Sequence, residues 1–222
     1  MSTVDRAMPF RRLFAALAVF AVTACQGPGP SADRQAAAPP DSAAACDGGE
    51  NLLRNPAFAP TEGERRAAWR GAQHAGEPSF DVSASDGVLT IERVATQPWY
   101  TYAQFPPARA LRGRELLFRA DLQLDLDSEG WSQGLETGGG LQVLIWGLVD
   151  PVMGGSRLVY RSSLEQEPRL GNTDWFTAEL RFAVPENATR MSVGFLHQAN
   201  GSFSIRDPAL LDCGPVGQRD GR

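Results

Sequence analysis

Apolar and polar positions alternate with a period of two along most of the chain after residue 78, the signature of half-buried strands. The clearest case is Glu115–Asp125. Leu116, Phe118, Ala120, Leu122 and Leu124 point one way, and Glu115, Leu117, Arg119, Asp121 and Gln123 the other. One such face belongs to a core and the other to solvent, as in an antiparallel sandwich. Further strands are predicted at Ser79–Ala84, Val88–Val94, Trp99–Phe105, Leu141–Val149, Arg157–Arg161, Trp175–Val184, Thr189–Gln198 and Phe203–Leu211. Leu141–Val149 is almost continuously apolar, so its pattern also fits burial on both faces. Helical periodicity is nearly absent, and only Arg65–Gln73 reads as a short helix. Asp86-Gly87 and Asn200-Gly201 are hairpin dipeptides, and Pro185-Glu186-Asn187 is a turn cluster. About nine strands at this spacing predict an all-β fold, an antiparallel β-sandwich of the jelly-roll kind.

The first fifty residues follow other rules. Arg6, Arg11 and Arg12 precede an apolar run, Leu13–Val22. That run has the length of a secretory signal and is too short to span a bilayer, which takes about 20 apolar residues. Val22-Thr23-Ala24-Cys25 resembles the bacterial lipobox, where cleavage precedes a cysteine that receives diacylglycerol. The resemblance implies a signal peptide at residues 1–24 and lipidation at Cys25. Gln26, in place of Asp, implies sorting to the outer membrane, with acyl chains sufficient for stable anchoring in its lipid. The alternative is a plain secretory signal that leaves Cys25 as a free thiol.

Gln26–Glu50 holds no Val, Leu, Ile, Met or aromatic residue. Such a stretch cannot bury enough surface to fold, so residues 25–50 read as a tether. The 20 residues between Cys25 and Cys46 span roughly 25 Å as a flexible coil. A folded domain over residues 51–213 and a disordered tail over 214–222 complete the organisation. With Cys25 acylated, Cys46 and Cys213 remain, and they bracket that domain. An oxidising periplasm favours a bond between them, against the alternative of two unpaired thiols in the flanks.

Composition narrows the function. All 21 basic residues are arginine, which excludes P-loop, Schiff-base and other lysine chemistry. The formal net charge is -5, and removing Met1–Ala24 takes away three Arg and one Asp and leaves -7. Nucleic acid and anionic lipid headgroups are therefore poor partners. No H-E-x-x-H or G-x-S-x-G motif occurs. His197 is the better of two histidines for a catalytic role, and no catalytic residue is assigned.

The domain resembles carbohydrate-binding modules with the galactose-binding-like jelly-roll fold. The residues that carry the resemblance are Asn51-Leu52-Leu53-Arg54-Asn55-Pro56-Ala57-Phe58, Trp69, Trp99 to Gln104-Phe105, Asp174-Trp175-Phe176 with Phe182-Ala183-Val184-Pro185, and Phe203 to Leu210. The resemblance implies a polysaccharide or other glycan as partner. Some members hold a structural calcium, for which Asn55 and Asp207 are the candidate ligands here. Ala59 and Arg206 stand where further acidic ligands are common, so the reading is of a domain without a cofactor.

A sugar site needs aromatic platforms and planar polar groups. Tyr102 and Gln104 share a strand face with Tyr100, Trp146 shares one with Gln142, and Arg119, Asp121 and Gln123 share another. Trp131 lies in the Gly-rich loop Asp127–Gly140. Trp131, Trp146 and Tyr102 are the candidate stacking residues, and Gln104, Arg119 and Asp121 the candidate hydrogen-bonding ones. Trp69, Trp99 and Trp175 are assigned to the core. A membrane-anchored, non-catalytic glycan-binding lipoprotein is the expectation. A protein-interaction module and a glycan hydrolase using the acids around Asp125–Glu136 are the alternatives.

Overall fold

A computed structural model describes residues 46, 49–60, 67–129, 136–150 and 154–217. Cys25, the apolar run before it, most of the tether and Trp131 lie outside the described residues.

Eleven strands occur among the described residues. They are β1 (Arg70–Gln73), β2 (Phe80–Ser85), β3 (Val88–Arg93), β4 (Tyr100–Gln104), β5 (Arg114–Asp127), β6 (Gly138–Asp150), β7 (Gly154–Ser162), β8 (Gly171–Asn172), β9 (Phe176–Ala183), β10 (Arg190–Gln198) and β11 (Asn200–Pro215). They form two antiparallel sheets. One runs β1-β4-β10-β6-β7. The other runs β2-β3-β11-β5-β8, with β9 also paired to β5. The fold is the expected all-β antiparallel jelly-roll sandwich.

The core lies between the sheets. Phe118 of β5 and Phe203 of β11 approach Phe195 of β10 with ring centroids 5.9 and 6.5 Å apart. Leu141, Val143 and Ile145 of β6 are fully buried beside them. The alternation read along β5 holds: Leu116, Phe118, Ala120, Leu122 and Leu124 all point inward and are buried. Leu117 points outward and is buried as well, because Cys46 and Leu211 cover it.

Cys46 is bonded to Cys213, with Cα atoms 4.5 Å apart. The folded part thus begins before residue 51, and β11 continues past Cys213 to Pro215. Asn51 reinforces the strap. Its side chain donates to the Pro208 carbonyl and accepts from the Leu210 N–H.

Of three local expectations, two change and one holds. Arg70–Gln73 is a strand, not the end of a helix; its Arg-Gly-Ala-Gln sequence has no pattern of its own and pairs with the edge of β4. Asp86-Gly87 does close the β2–β3 hairpin, both residues having positive φ (51° and 78°) as a type I′ turn requires. Asn200-Gly201 instead turns a corner between sheets: β10 pairs with β4 and β6, while β11 pairs with β3 and β5. Turn chemistry specifies a bend and leaves open which sheet the next strand joins.

Candidate functional site

The outer face of the five-stranded sheet carries a groove of about 560 Å³. Strand parity builds it. On β6, Leu141, Val143 and Ile145 fill the core, which turns Gln142, Leu144 and Trp146 outward, half-buried. Leu141–Val149 is therefore a two-faced strand, and its second apolar face is the groove. On β10, Met191, Val193, Phe195 and His197 point inward, so Ser192, Leu196 and Gln198 form the floor. Gly194 lies between Gln142 and Ala103 in register and keeps that floor low.

Four aromatic rings line the groove: Trp99, Phe105, Trp146 and Tyr160. Three arginines join them, from three strands. Arg70 is on β1 and Arg157 on β7, the two edge strands, and Arg190 is on central β10. Arg190 and Arg157 both sit in register with Trp146, one on each side. The Arg190 guanidinium carbon lies 4.4 Å from the Trp146 ring centroid and 5.6 Å from that of Phe105. The Arg157 guanidinium lies 5.3 Å from the Tyr160 centroid. A guanidinium at such a distance from a ring is attracted to its face by a cation–π interaction. Among the described residues lining the groove there is no Asp, Glu or His.

The sequence-chosen site residues do not come together. Trp146 is in the groove. Tyr102 and Gln104 do share a face, but it is the inner one. Tyr102 stacks on buried Trp69, centroids 5.8 Å apart and planes 8° apart. Gln104 is 3 % exposed; it accepts from the Arg54 N–H and donates to the Arg54 carbonyl. The groove uses the opposite parity of β4, with Thr101 and Ala103 followed by Phe105.

Arg119 and Asp121 lie on the outer face of the other sheet, across the core from Trp146. Asp121 accepts from the Thr177 hydroxyl at 2.7 Å and pairs with Arg206 at 3.3 Å. A small hollow of about 240 Å³ there is lined by Arg119, Asp121, Thr177 and Asp207.

The tryptophans divide differently from the sequence expectation. Trp69 is core, at 4 % exposure. Trp99 lines the groove. Trp175 is half-buried on the outer face of the six-stranded sheet, under Arg206 at 4.3 Å. Sequence reasoning missed Phe105, Tyr160 and the three arginines. The available signal was register, which places Arg157 and Arg190 beside Trp146 only once strand neighbours are known.

His197 is not a surface group. Its ring is buried, edge-on to Phe80 and Phe203. Burial pushes its pKa down to about 4, the nearby positive charge of Arg93 adds to that, and the Gly201 carbonyl opposes it. Nε2–H donates to that carbonyl, and Nδ1 accepts from the Ala199 N–H. These contacts fit a neutral ring protonated at Nε2.

The candidate calcium ligands do not suit a cation either. Both side-chain atoms of Asn55 are bonded to the Ala59 backbone. The Asp207 carboxylate is 84 % exposed beside Arg206. Among the described residues no three His, Cys, Asp or Glu side chains form a group that could hold a metal.

Fold and groove together define a jelly-roll domain with an aromatic, arginine-lined face open to a ligand. No protein-family model matches the chain, and no curated protein matches it. Solved structures similar to it include a putative sugar-binding protein from Bacteroides thetaiotaomicron. That likeness has 10% identity and a TM-score of 0.49, and covers 73% of this chain and 100% of the other. A CBM4 carbohydrate-binding domain is similar at 16% identity and TM-score 0.48, over 72% of this chain and 99% of the other. The enzymatically active domain of a tailspike protein from bacteriophage CBA120 is similar at 15% identity and TM-score 0.47, over 72% of this chain. This chain spans only 21% of that tailspike domain.

Proposed function

We propose that this chain is a non-catalytic glycan-binding lipoprotein of the bacterial envelope, anchored in the outer membrane through an acylated Cys25. Its domain, held off the membrane by the tether, takes a polysaccharide along the groove of the five-stranded sheet. The observation that carries this reading is the set Trp99, Phe105, Trp146 and Tyr160 on one outer face, with Gln142, Ser192 and Gln198 between them. Sugar rings pair an apolar face with a rim of hydroxyls. Aromatic platforms interleaved with amide and hydroxyl groups complement both. Hydrolysis of a glycosidic bond uses a pair of carboxylates. The described lining holds none, which favours binding without turnover.

The test is retention of the full-length exported chain on a panel of immobilised glycans. Trp146→Ala should weaken retention about thirtyfold, as removal of a binding-site aromatic commonly does, with the melting temperature nearly unchanged. Arg119→Gln and Asp121→Asn, on the far sheet, should leave retention unchanged. If the parent retains no glycan, the carbohydrate reading is wrong and a protein partner replaces it. The anchor is tested separately: Cys25→Ser should leave the outer-membrane fraction, and a variant that stays there refutes lipidation.

A further inference from the structure

We infer, resting on the glycan reading of this groove, that its ligand is an acidic polysaccharide, one bearing carboxylate or sulfate groups along its chain. Charge placement is the first reason. The chain has more Asp and Glu (26) than Arg (21), yet Arg70, Arg157 and Arg190 line the groove with no carboxylate among the described residues beside them. Outside the groove four arginines meet carboxylates, while Arg112 and Arg161 bond backbone carbonyls. Arg114 meets Asp212, Arg169 meets Glu167, Arg181 meets Glu115, and Arg206 meets Asp121 and Asp207. None of these pairs involves a groove arginine. Three like charges on one face repel one another, and a ligand that supplies the counter-charge relieves that cost.

Geometry is the second reason. Arg190 lies over Trp146 and Arg157 over Tyr160. A guanidinium held over a ring loses rotamer freedom before the ligand arrives. Neither of these two is taken up by a carboxylate among the described residues, which leaves its donor fork for a carboxylate or sulfate on the ligand. The choice of arginine over lysine adds nothing, since the chain has no lysine; stacking and the missing carboxylates make the case. Arg70 and Arg157 stand on opposite edge strands, four strand spacings apart, or roughly 19 Å. Arginines spread across the width of the sheet fit a polymer with repeated charges better than a single anionic group.

The experiment uses the full-length exported chain and matched ligands. Polygalacturonate and alginate carry carboxylates, and chondroitin sulfate carries sulfate. Fully methyl-esterified polygalacturonate and neutral xylan and galactan do not carry such charges. At least one acidic polymer should bind, its uncharged counterpart should bind at least tenfold more weakly, and raising salt from about 50 mM to about 500 mM should weaken the acidic complex steeply. Arg190→Gln and Arg157→Gln should each cost about tenfold in affinity, while Arg119→Gln should cost nothing. Equal binding of charged and neutral polymers, insensitive to salt, overturns the acidic ligand and leaves the glycan reading standing. Acidic binding that survives combined replacement of Arg70, Arg157 and Arg190 also overturns it, because the charge is then read elsewhere. Binding of no polymer, charged or neutral, removes the glycan reading and this inference with it.

Discussion

Replacing Cys46 and Cys213 together by alanine opens the closed loop that now joins the two ends of the domain. The two cysteines are 167 residues apart in sequence. In the loop-entropy description, a cross-link of that length removes about 5 kcal/mol of freedom from the unfolded chain. The folded side loses much less. Cys46 is buried with Leu117 and Leu211, and removing its sulfur uncovers apolar surface worth roughly 1 kcal/mol or less. The native position of the strap should survive, because the Leu52 N–H still donates to the Leu210 carbonyl and Asn51 still bridges Pro208 and Leu210. The double variant should therefore keep the parent's near-ultraviolet circular dichroism at neutral pH and lose about 5–6 kcal/mol in urea unfolding followed by tryptophan fluorescence. Its m-value should rise, since the uncrosslinked unfolded chain is more open. Reducing the parent protein should reproduce the same midpoint. A loss below about 1 kcal/mol, with m unchanged, would refute the assignment of the stabilisation to the unfolded ensemble.

Two other perturbations follow from the core. His197 is held near pKa 4 in the folded protein, against about 6.5 in an unfolded chain. Between those values the unfolded state binds the extra proton, so stability is complete above pH 6.5 and falls by roughly 3 kcal/mol as pH drops to 4. Chemical denaturation at a series of pH values, with the His197 ring signals followed by NMR, checks this, and a ring that titrates near 6.5 in the native protein overturns it. Trp69→Ala should lose about 3–5 kcal/mol, because Trp69 stacks on Tyr102 and Phe195 and donates to the Asn55 carbonyl. Trp175→Ala, which removes a half-buried ring under Arg206, should cost about 1 kcal/mol or less, and equal losses in melting experiments would show that the two rings share the core.

The sandwich was legible where one strand face had to be wet. β5 alternates cleanly because Arg119, Asp121 and Gln123 can face only solvent. Strand parity was legible and strand facing was not. In β4 the polar-edged residues Tyr102 and Gln104 looked like the ligand face. They turn inward because Trp69 supplies Tyr102 a stacking partner and the Arg54 backbone satisfies the Gln104 amide. Both partners are distant in sequence, so no local pattern reveals them. β1 and β8 were missed because Arg70–Gln73 and Gly171–Asn172 take their strand geometry from the edges they join. Trp146 was found because it shares a strand face with Gln142. Its neighbours Arg157 and Arg190 were not, since their proximity comes from cross-strand register.

The two outer faces of the sandwich are finished differently, and the difference bears on function. On the six-stranded sheet, Leu117 is sealed under the disulfide strap, Trp175 lies under Arg206, and Asp121 is tied to Arg206 and Thr177. On the five-stranded sheet Phe105 is 48 % exposed, and Leu148 at the far end of β6 is 72 % exposed. Beside that apolar surface stand arginines without ion-pair partners among the described residues. Exposed apolar area and uncompensated like charge each work against folding stability. Every carboxylate that could have relieved the charge, placed on β1, β4, β6, β7 or β10 with outward parity, would have been a surface change of small cost. A chain that ties Asp121, Arg206 and Trp175 together on one face, and leaves on the other the donors and rings that a charged polymer would complete, holds Trp99, Trp146, Arg157 and Arg190 where a ligand can meet them.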